Sequence, residues 1–300
     1  MKPPRISVVL PVLNQAKYLE RALESILGQG YPETECIVID GGSSDGSADI
    51  VRSFGDRLAY WVSEPDKGQS HAVNKGFSRC TGELVTFFHA DDEYMPGAFS
   101  DAAEQYVRHP DAGVYAGAFR FIDEESRPLS GFIVPYLRRP APTDLTLGPP
   151  GAYRLHQAAL FYSRAALEEA GMYVREDLRY VMDRELLYRV LRRRRAVLTA
   201  VPYGSFRRHA ESKSGKGGLA FALEFASIYE SSCTGNAPDD ARRRRMADYR
   251  KAVGYLRLAK EGGMRREAFR AAALYPPLCF SWSFLEAVFS FRKRSGGRAA

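Results

Sequence analysis

The sequence is short of paired cysteines, of uninterrupted apolar runs and of internal repeats, and each shortage removes a class of protein. Its four cysteines, Cys36, Cys80, Cys233 and Cys279, are scattered through 300 residues with no CxxC pair. That excludes a disulfide scaffold or a thiolate metal cluster and points to reduced thiols in a cytosolic setting. The N-terminal stretch MKPPRISVVLPVLNQ holds an apolar run too short for a signal peptide, interrupted by Pro11 and Asn14, so secretion is not expected. The stretch closest to membrane-spanning length, LYPPLCFSWSFLEAVFSF at 274–291, is broken by Pro276, Pro277 and Glu286, which argues against a transmembrane helix. Phosphate loops of the GxGxxG or GxxxxGK(S/T) type are missing as well.

Charge is unevenly spread. Residues 201–300 carry 19 Lys and Arg against 9 Asp and Glu, whereas residues 1–200 carry 24 against 27. A basic C-terminal arm suits an anionic partner, either a membrane surface or a phosphate-rich ligand, and it equally suits a solvated helix face. RRRRAV (192–197) and RRRR (242–245) read as solvated helix faces, and they lack the interleaved aromatics that stack on bases, so nucleic acid is not an expected partner.

What is present is an alternation of short apolar strands and one-sided helices. ISVVL (6–10), CIVI (36–39), LAYWV (58–62) and LVTFF (84–88) read as strands buried on both faces, and helical spacing of apolar residues follows each of the first three. This is the pattern of a parallel sheet with right-handed crossovers. AGVYAGAFRFID (112–123) reads as a further strand entering a hairpin, and 135–153 as a Pro/Gly-rich loop. MDRELLYRVLRR (182–193) places Leu186, Leu187, Val190 and Leu191 on one face of a helix that Asp183 opens, where that carboxylate can also be a plain N-cap, and the pattern is helical from about 217.

In open α/β sheets ligands bind beyond the carboxyl ends of the strands, and polar residues collect there: Pro11 to Asn14, Asp40 to Asp45, Glu64 to Gly68, and Asp91 with Asp92. Asp40 can accept hydrogen bonds from a base or ribose, or close an Asx turn on its own backbone. GGSSDGS (41–47) offers backbone N–H groups ahead of a helix, a weak phosphate cradle. In LVTFFHADDEYMP (84–96) a buried strand runs into two adjacent carboxylates. They can be turn formers or N-caps ahead of a helix begun at Pro96. Two in succession exceed what capping needs, and a hard divalent ion would offset their repulsion. His156 and His209 are each open to metal, phosphate or purely structural readings.

Taken in order, SVVLPVLNQAKYLERALESILGQGYPETECIVIDGGSSDGS, EPDKGQSHAVNKGFSRCTGELVTFFHADDEYMPGAF, HQAALFYSRAALEEAG and YVMDRELLYRV resemble glycosyltransferase family 2 over about residues 5–210. The resemblance implies a GT-A type fold: a mostly parallel central sheet flanked by helices, with a Rossmann-like nucleotide-binding half. It implies a catalytic domain at 1–215, followed by a basic, helical extension at 216–300 to which nothing carries over. It also implies inverting transfer of a sugar from a nucleotide diphosphate donor to an acceptor hydroxyl, with Mg2+ or Mn2+. Pro11, Val12 and Asn14 would line the nucleotide pocket and Asp40 would bind the base. Asp66, Lys67 and Gly68 match the next nucleotide-side loop, and Asn74 to Gly76 the helix beneath it. Asp91 and Asp92 match the DxD-type metal and ribose motif, which departs from the fuller D-x-D-D form because His89 stands where an Asp often does. His209 resembles a late His near the metal and diphosphate, and Asp183 matches the catalytic base, with Glu176, Asp177 and Glu185 as neighbouring alternatives.

The reading that follows is a nucleotide-sugar glycosyltransferase of surface polysaccharide, lipopolysaccharide or glycolipid assembly. Its acceptor would be a saccharide or a lipid-linked saccharide, and its place cytoplasmic, peripheral at the inner face of an anionic membrane. Two rivals are a nucleotidyltransferase, which would want a glycine-rich basic loop where PVLNQAKY stands, and a non-catalytic nucleotide-sugar binding module, which could lose Asp183.

Overall fold

Strand β1 (Ile6–Val12) is buried at every position because both of its faces are covered. Side chains alternate along a strand, so Ile6, Val8, Leu10 and Val12 enter one core with Leu19, Leu23 and Ile26 of helix α1 (Ala16–Leu27). The structure, a computed structural model, describes residues 2–137, 153–210, 217–262 and 265–277. After α1 come β2 (Thr34–Asp40), α2 (Ser47–Ser53), β3 (Tyr60–Ser63), α3 (Gln69–Phe77) and β4 (Leu84–Phe87). Then follow β5 (Glu93–Tyr94), α4 (Ala98–Arg108), β6 (Val114–Ile122), the two-residue strands β7 (Tyr136–Leu137) and β8 (Tyr153–Arg154), β9 (Leu160–Ser163), α5 (Arg164–Glu169), α6 (Met182–Leu191) and β10 (Ala196–Arg207).

Eight strands form one sheet in the order β3-β2-β1-β4-β9-β6-β10-β5, while β7 and β8 pair separately. Parallel pairing holds for β3-β2-β1-β4 and for β6-β10. β9 runs antiparallel to both β4 and β6, and β5 antiparallel to β10. The sheet is therefore mostly parallel, with β9 joining two parallel portions. Helix α4 adds Ala98, Phe99, Ala102 and Ala103 to the α1 side of the core. Helix α3 covers the other side, pressed so close to β1 that a Cβ on Gly76 would lie 2.2 Å from Val9 Cγ1.

Three features differ from the sequence reading. Pro96 does not open a helix: Gly97, at φ 83°, precedes α4, and β5 separates that helix from Asp91 and Asp92, so neither carboxylate is an N-cap. Asp183 does not open α6 either; Val181 is its N-cap residue, without a side-chain cap, and Asp183 lies within the first turn. LFYS forms β9, and the stretch at 196–207, which in sequence reads only as the end of an arginine run, forms the longest of the described strands.

The chain divides into two compact units, Met1–His209 and Ala210–Ala300. In the second, α7 (Gly218–Ser231), α8 (Ala237–Gly262) and α9 (Arg265–Leu274) are helical. Ala252, Leu256 and Ala259 of α8 pack with Ala268 and Ala271 of α9. Asp240 accepts from the amides of Thr234 and Gly235 and pairs with Arg243 at 2.9 Å, which fixes the start of α8. None of the described helices is long and apolar enough to cross a membrane. The segment 278–291, on which most of the expected membrane contact rests, lies outside the described residues, as does most of the 135–153 loop.

Candidate functional site

The carboxyl ends of β1, β2 and β3 are in register, with Val12 beside Asp40 and Asp40 beside Ser63. Pro11 and Val12, expected to line a nucleotide pocket, are buried within β1. What Val12 presents at this rim is its carbonyl, which accepts from Gly41 N at 2.9 Å. Asp40 is fully buried, and its carboxylate accepts from Ser43 N, Ser43 Oγ and Ser63 Oγ. The Asx-turn reading of Asp40 is thus present in the structure.

Asn14, at φ 52°, reaches across to the same turn: its amide donates to Ser43 Oγ at 2.8 Å and its Oδ1 accepts from Ser44 N at 2.9 Å. Asp45 then serves two helices at once, accepting from Ser47 N at 3.0 Å and from Ala16 N at 2.9 Å. Both donors are backbone groups of first helical turns that would otherwise lack partners. Asp66 closes the other side, its Oδ1 accepting from Gly68 N at 2.6 Å, and a Cβ on Gly41 would lie 2.5 Å from Asp66 Oδ2. Gly68 holds φ 114°, a conformation suited to glycine, and Lys67 between them is exposed. The rim thus gathers Asn14, Asp40, Asp66, Lys67 and Gly68.

Asn74 does something else. Its Oδ1 accepts from Val174 N at 2.8 Å and its Nδ2 donates to Val174 O and Glu176 Oε1, each at 3.0 Å. That amide, on the helix expected beneath the nucleotide-side loop, ties α3 to the segment leading into α6. Ser70 adds a second tie, donating to Leu178 O at 3.1 Å.

Past the end of β4, His89, Asp91 and Asp92 bring one ligand atom each to within 4.8 Å of one another. His209, arriving from the end of β10, places Nε2 2.9 Å from Asp91 Oδ2. Two neighbouring ligands of one cation, each about 2.1 Å from it, are separated by roughly this distance. The two aspartates are pushed apart electrostatically. Burial alone would raise the Asp91 carboxyl, yet the His209 hydrogen bond and the charges of His89 and His209 hold it below the usual carboxylate range. Asp92 goes the other way, raised well above that range by burial and by the charge of Asp91. Oxygen donors with imidazole nitrogen fit a divalent cation.

In sequence His89 reads as a departure from a motif, although its place two residues before Asp91 is a signal that it can serve as a donor itself. Arg207 escapes sequence reading altogether because it sits in an apparently solvated FRRH run. It is fully buried and donates to Asp91 O from Nε at 2.8 Å, while its backbone N–H donates to Asp92 Oδ1 at 2.9 Å.

Asp183 lies in the first turn of α6. Among the described residues its carboxylate has Arg184 Nε at 3.8 Å and no hydrogen bond. Its charge is felt by Tyr162, whose hydroxyl is pushed far up by burial first and by Asp183 second. The neighbouring acids are engaged: Asp177 is gripped by Arg175 at 3.0 and 2.5 Å, Glu185 pairs with Arg189 at 2.7 Å, and Glu176 receives Asn74. His156 is structural. Its Nδ1 accepts from Ala158 N at 3.3 Å, its ring lies 4.8 Å from that of Phe119 and 4.5 Å from that of Phe206, and burial lowers its pKa to about 3.

A family model described as glycosyl transferase family 2 matches residues 7–171, a span that holds Asp40, Asp66, Asp91 and Asp92 but neither Asp183 nor His209. An uncharacterized glycosyltransferase of Rickettsia typhi is 30% identical over 192 residues, 63% of this chain, and the chain spans 59% of that relative's length. The GalNAc(5)-diNAcBac-PP-undecaprenol beta-1,3-glucosyltransferase of Campylobacter jejuni is 37% identical over 101 residues, 32% of this chain and 33% of the relative. A mannosyltransferase from Pyrobaculum calidifontis, solved with GDP-Man and Mn2+, superposes with a TM-score of 0.57 at 19% identity over 96% of this chain and 84% of that one, a likeness of fold.

Proposed function

The chain belongs to glycosyl transferase family 2 and has the GT-A type fold, and from that premise we propose that it moves a sugar from a nucleotide diphosphate donor to an acceptor hydroxyl with inversion at the anomeric carbon. The observation that carries this reading is the convergence of His89, Asp91, Asp92 and His209 where the sheet ends. Asp91 and Asp92, with His89 and His209, would hold Mg2+ or Mn2+, the imidazoles tilting the set toward Mn2+. When bound, such a cation supplies charge stabilisation for a departing diphosphate.

The rest is work for the chain's own side chains. The rim of Asn14, Asp40, Asp66, Lys67 and Gly68 would receive the nucleoside, with Asp40 and its serines presenting a fixed polar edge to the base. An acceptor hydroxyl is a poor nucleophile at neutral pH, so a carboxylate must take its proton as it attacks. Asp183 is the candidate for that task, its oxygens holding no hydrogen bond among the described residues beside the 3.8 Å approach of Arg184. A nucleotidyltransferase is disfavoured because no glycine-rich basic loop follows β1, and a binding module would have no use for an uncommitted carboxylate in addition to a cation site.

For the acceptor we favour a saccharide, free or lipid-linked, in surface-glycan assembly; the name of the Campylobacter relative supports it. A cytoplasmic enzyme touching the anionic face of a membrane through the aromatic-rich stretch at 274–291 and the RKRSGGR that follows it completes the reading, each basic residue near the surface contributing about 1 kcal/mol. The test is release of free nucleoside diphosphate from a panel of nucleotide sugars, measured with and without acceptor. Release that requires acceptor, stops in excess chelator and is abolished by Asp92→Asn is the expected result. Full activity in chelator would remove the cation, whereas no release from any nucleotide sugar, with pyrophosphate released instead from a nucleoside triphosphate and a sugar phosphate, would favour the nucleotidyltransferase.

A further inference from the structure

Ser126 sits in the turn that closes the hairpin after β6, at φ 68°, a backbone conformation that glycine adopts freely and serine does not. Its hydroxyl lies at a three-way junction. It accepts from Arg21 Nη1 at 2.7 Å and from Arg207 Nη2 at 3.0 Å, and donates to Glu93 Oε1 at 2.5 Å. Arg207 fills the centre of that junction. Its Nη1 donates to the carbonyls of Asp123 at 2.6 Å and Glu124 at 3.1 Å, its Nη2 meets the Glu93 carboxylate, and its guanidinium lies 4.8 Å from the Tyr18 ring centroid. The same residue holds the Asp91 carbonyl through Nε and Asp92 Oδ1 through its own backbone N–H.

We propose that Ser126 and Arg207 are positioning residues that set the Asp91–Asp92 turn for its divalent cation, so that the hairpin turn at 123–127 belongs to the framework of the donor site. The inference rests on the cation reading given above. A planar guanidinium with five fixed donors can hold a carbonyl, a carboxylate and two turn carbonyls at once, which a lysine's ammonium cannot reproduce. With one Asp92 oxygen taken by the Arg207 backbone, that carboxylate is left to meet a cation through its second oxygen. The contacts at Ser126 run to Arg207, which bonds both aspartates, and to Glu93, which follows them in sequence, and they hold the serine in its left-handed conformation.

The variants that separate this from plain structural support are Ser126→Gly and Arg207→Lys in the full chain, titrated with Mn2+ alone and followed by the EPR signal of the free ion, with thermal midpoints in parallel. Ser126→Gly relieves the backbone and deletes the hydroxyl, so its thermal midpoint is expected to hold or rise while Mn2+ binds about tenfold more weakly, the equivalent of one charge-assisted hydrogen bond. Arg207→Lys is expected to weaken Mn2+ by at least about as much. Unchanged Mn2+ affinity in Ser126→Gly, beside a wild type that binds the ion, overturns the positioning role and leaves the cation site standing. A wild type that binds no Mn2+ overturns the cation reading and this inference together. If Arg207→Lys fails to fold, Ser126→Gly decides alone.

Discussion

Four carboxylates lie within ten residues around the start of α6, and what each one touches separates them. Glu176, Asp177 and Glu185 are bound by Asn74, Arg175 and Arg189, whereas Asp183 has only the 3.8 Å approach of Arg184 among the described residues. Arg175 also holds Asp177 below the usual carboxylate range, which makes it a weaker proton acceptor than its position in the chain suggests. Because Val181 is the N-cap residue, Asp183 does not cap α6, and losing its charge there removes only a first-turn dipole contribution of about 0.3–1 kcal/mol. Asp183→Asn is therefore expected to fold with nearly unchanged stability, to keep donor affinity, and to lose turnover by about 10²-fold or more. Near-normal kcat in that variant would move the base elsewhere.

At the scale of elements, the donor rim depends on how tightly α3 lies on β1. With a Cβ on Gly76 only 2.2 Å from Val9 Cγ1 and 2.9 Å from its Cγ2, Gly76→Ala must move either the helix or the strand. Overpacking of this kind costs about 1–3 kcal/mol. Denaturant unfolding is expected to show a lower midpoint with an unchanged slope, and an unaltered midpoint would mean that α3 shifts freely. In sequence the glycine reads only as part of a motif, and its packing role is invisible without the strand opposite. Strands β1, β2, β4 and β6 are legible because each is an apolar run bounded by turn residues, and α1 and α6 because their apolar positions repeat at helical spacing. Strand β9 is not, since three apolar residues and a serine carry no period. Strand β10 hides behind Pro202 and Gly204, where its register on β6 slips. Among site residues, Asp91 and Asp92 are legible as a pair of charges at a strand end. Arg207 is not, because burial of an arginine is decided by carbonyls that arrive from residues more than eighty positions away.

For the whole molecule, acid is the condition that tests the arrangement. His156 is kept neutral in the fold, its pKa lowered to about 3 by burial first and by the charges of Arg184, His89 and Arg208 after it. The unfolded chain takes up that proton near the ordinary 6.5, so stability falls as pH drops from about 6.5 toward 3. Depressed carboxylates such as Asp45 and Asp123 add their losses only below about 4, while Asp92, raised by burial, works in the opposite sense on acidification. Between pH 7.5 and 5.5 the His156 contribution lost is about 1.4 kcal/mol. His156→Asn, which can still accept from Ala158 N, is expected to show a smaller drop in thermal midpoint over that interval than the wild type; equal drops would refute a neutral His156. The placement of β9 bears on how the chain emerges during synthesis. Strands β4 and β6 are both complete by residue 122, yet the strand that lies between them ends only at residue 163. Until then Leu84–Phe87, wholly apolar apart from Thr86, has β1 on one side and an open edge on the other. Such an edge recruits strands from other chains, so the nascent protein is adhesive for about seventy-five residues of translation, from the end of β4 to the end of β9, and slow elongation or crowded ribosomes would convert that interval into aggregation.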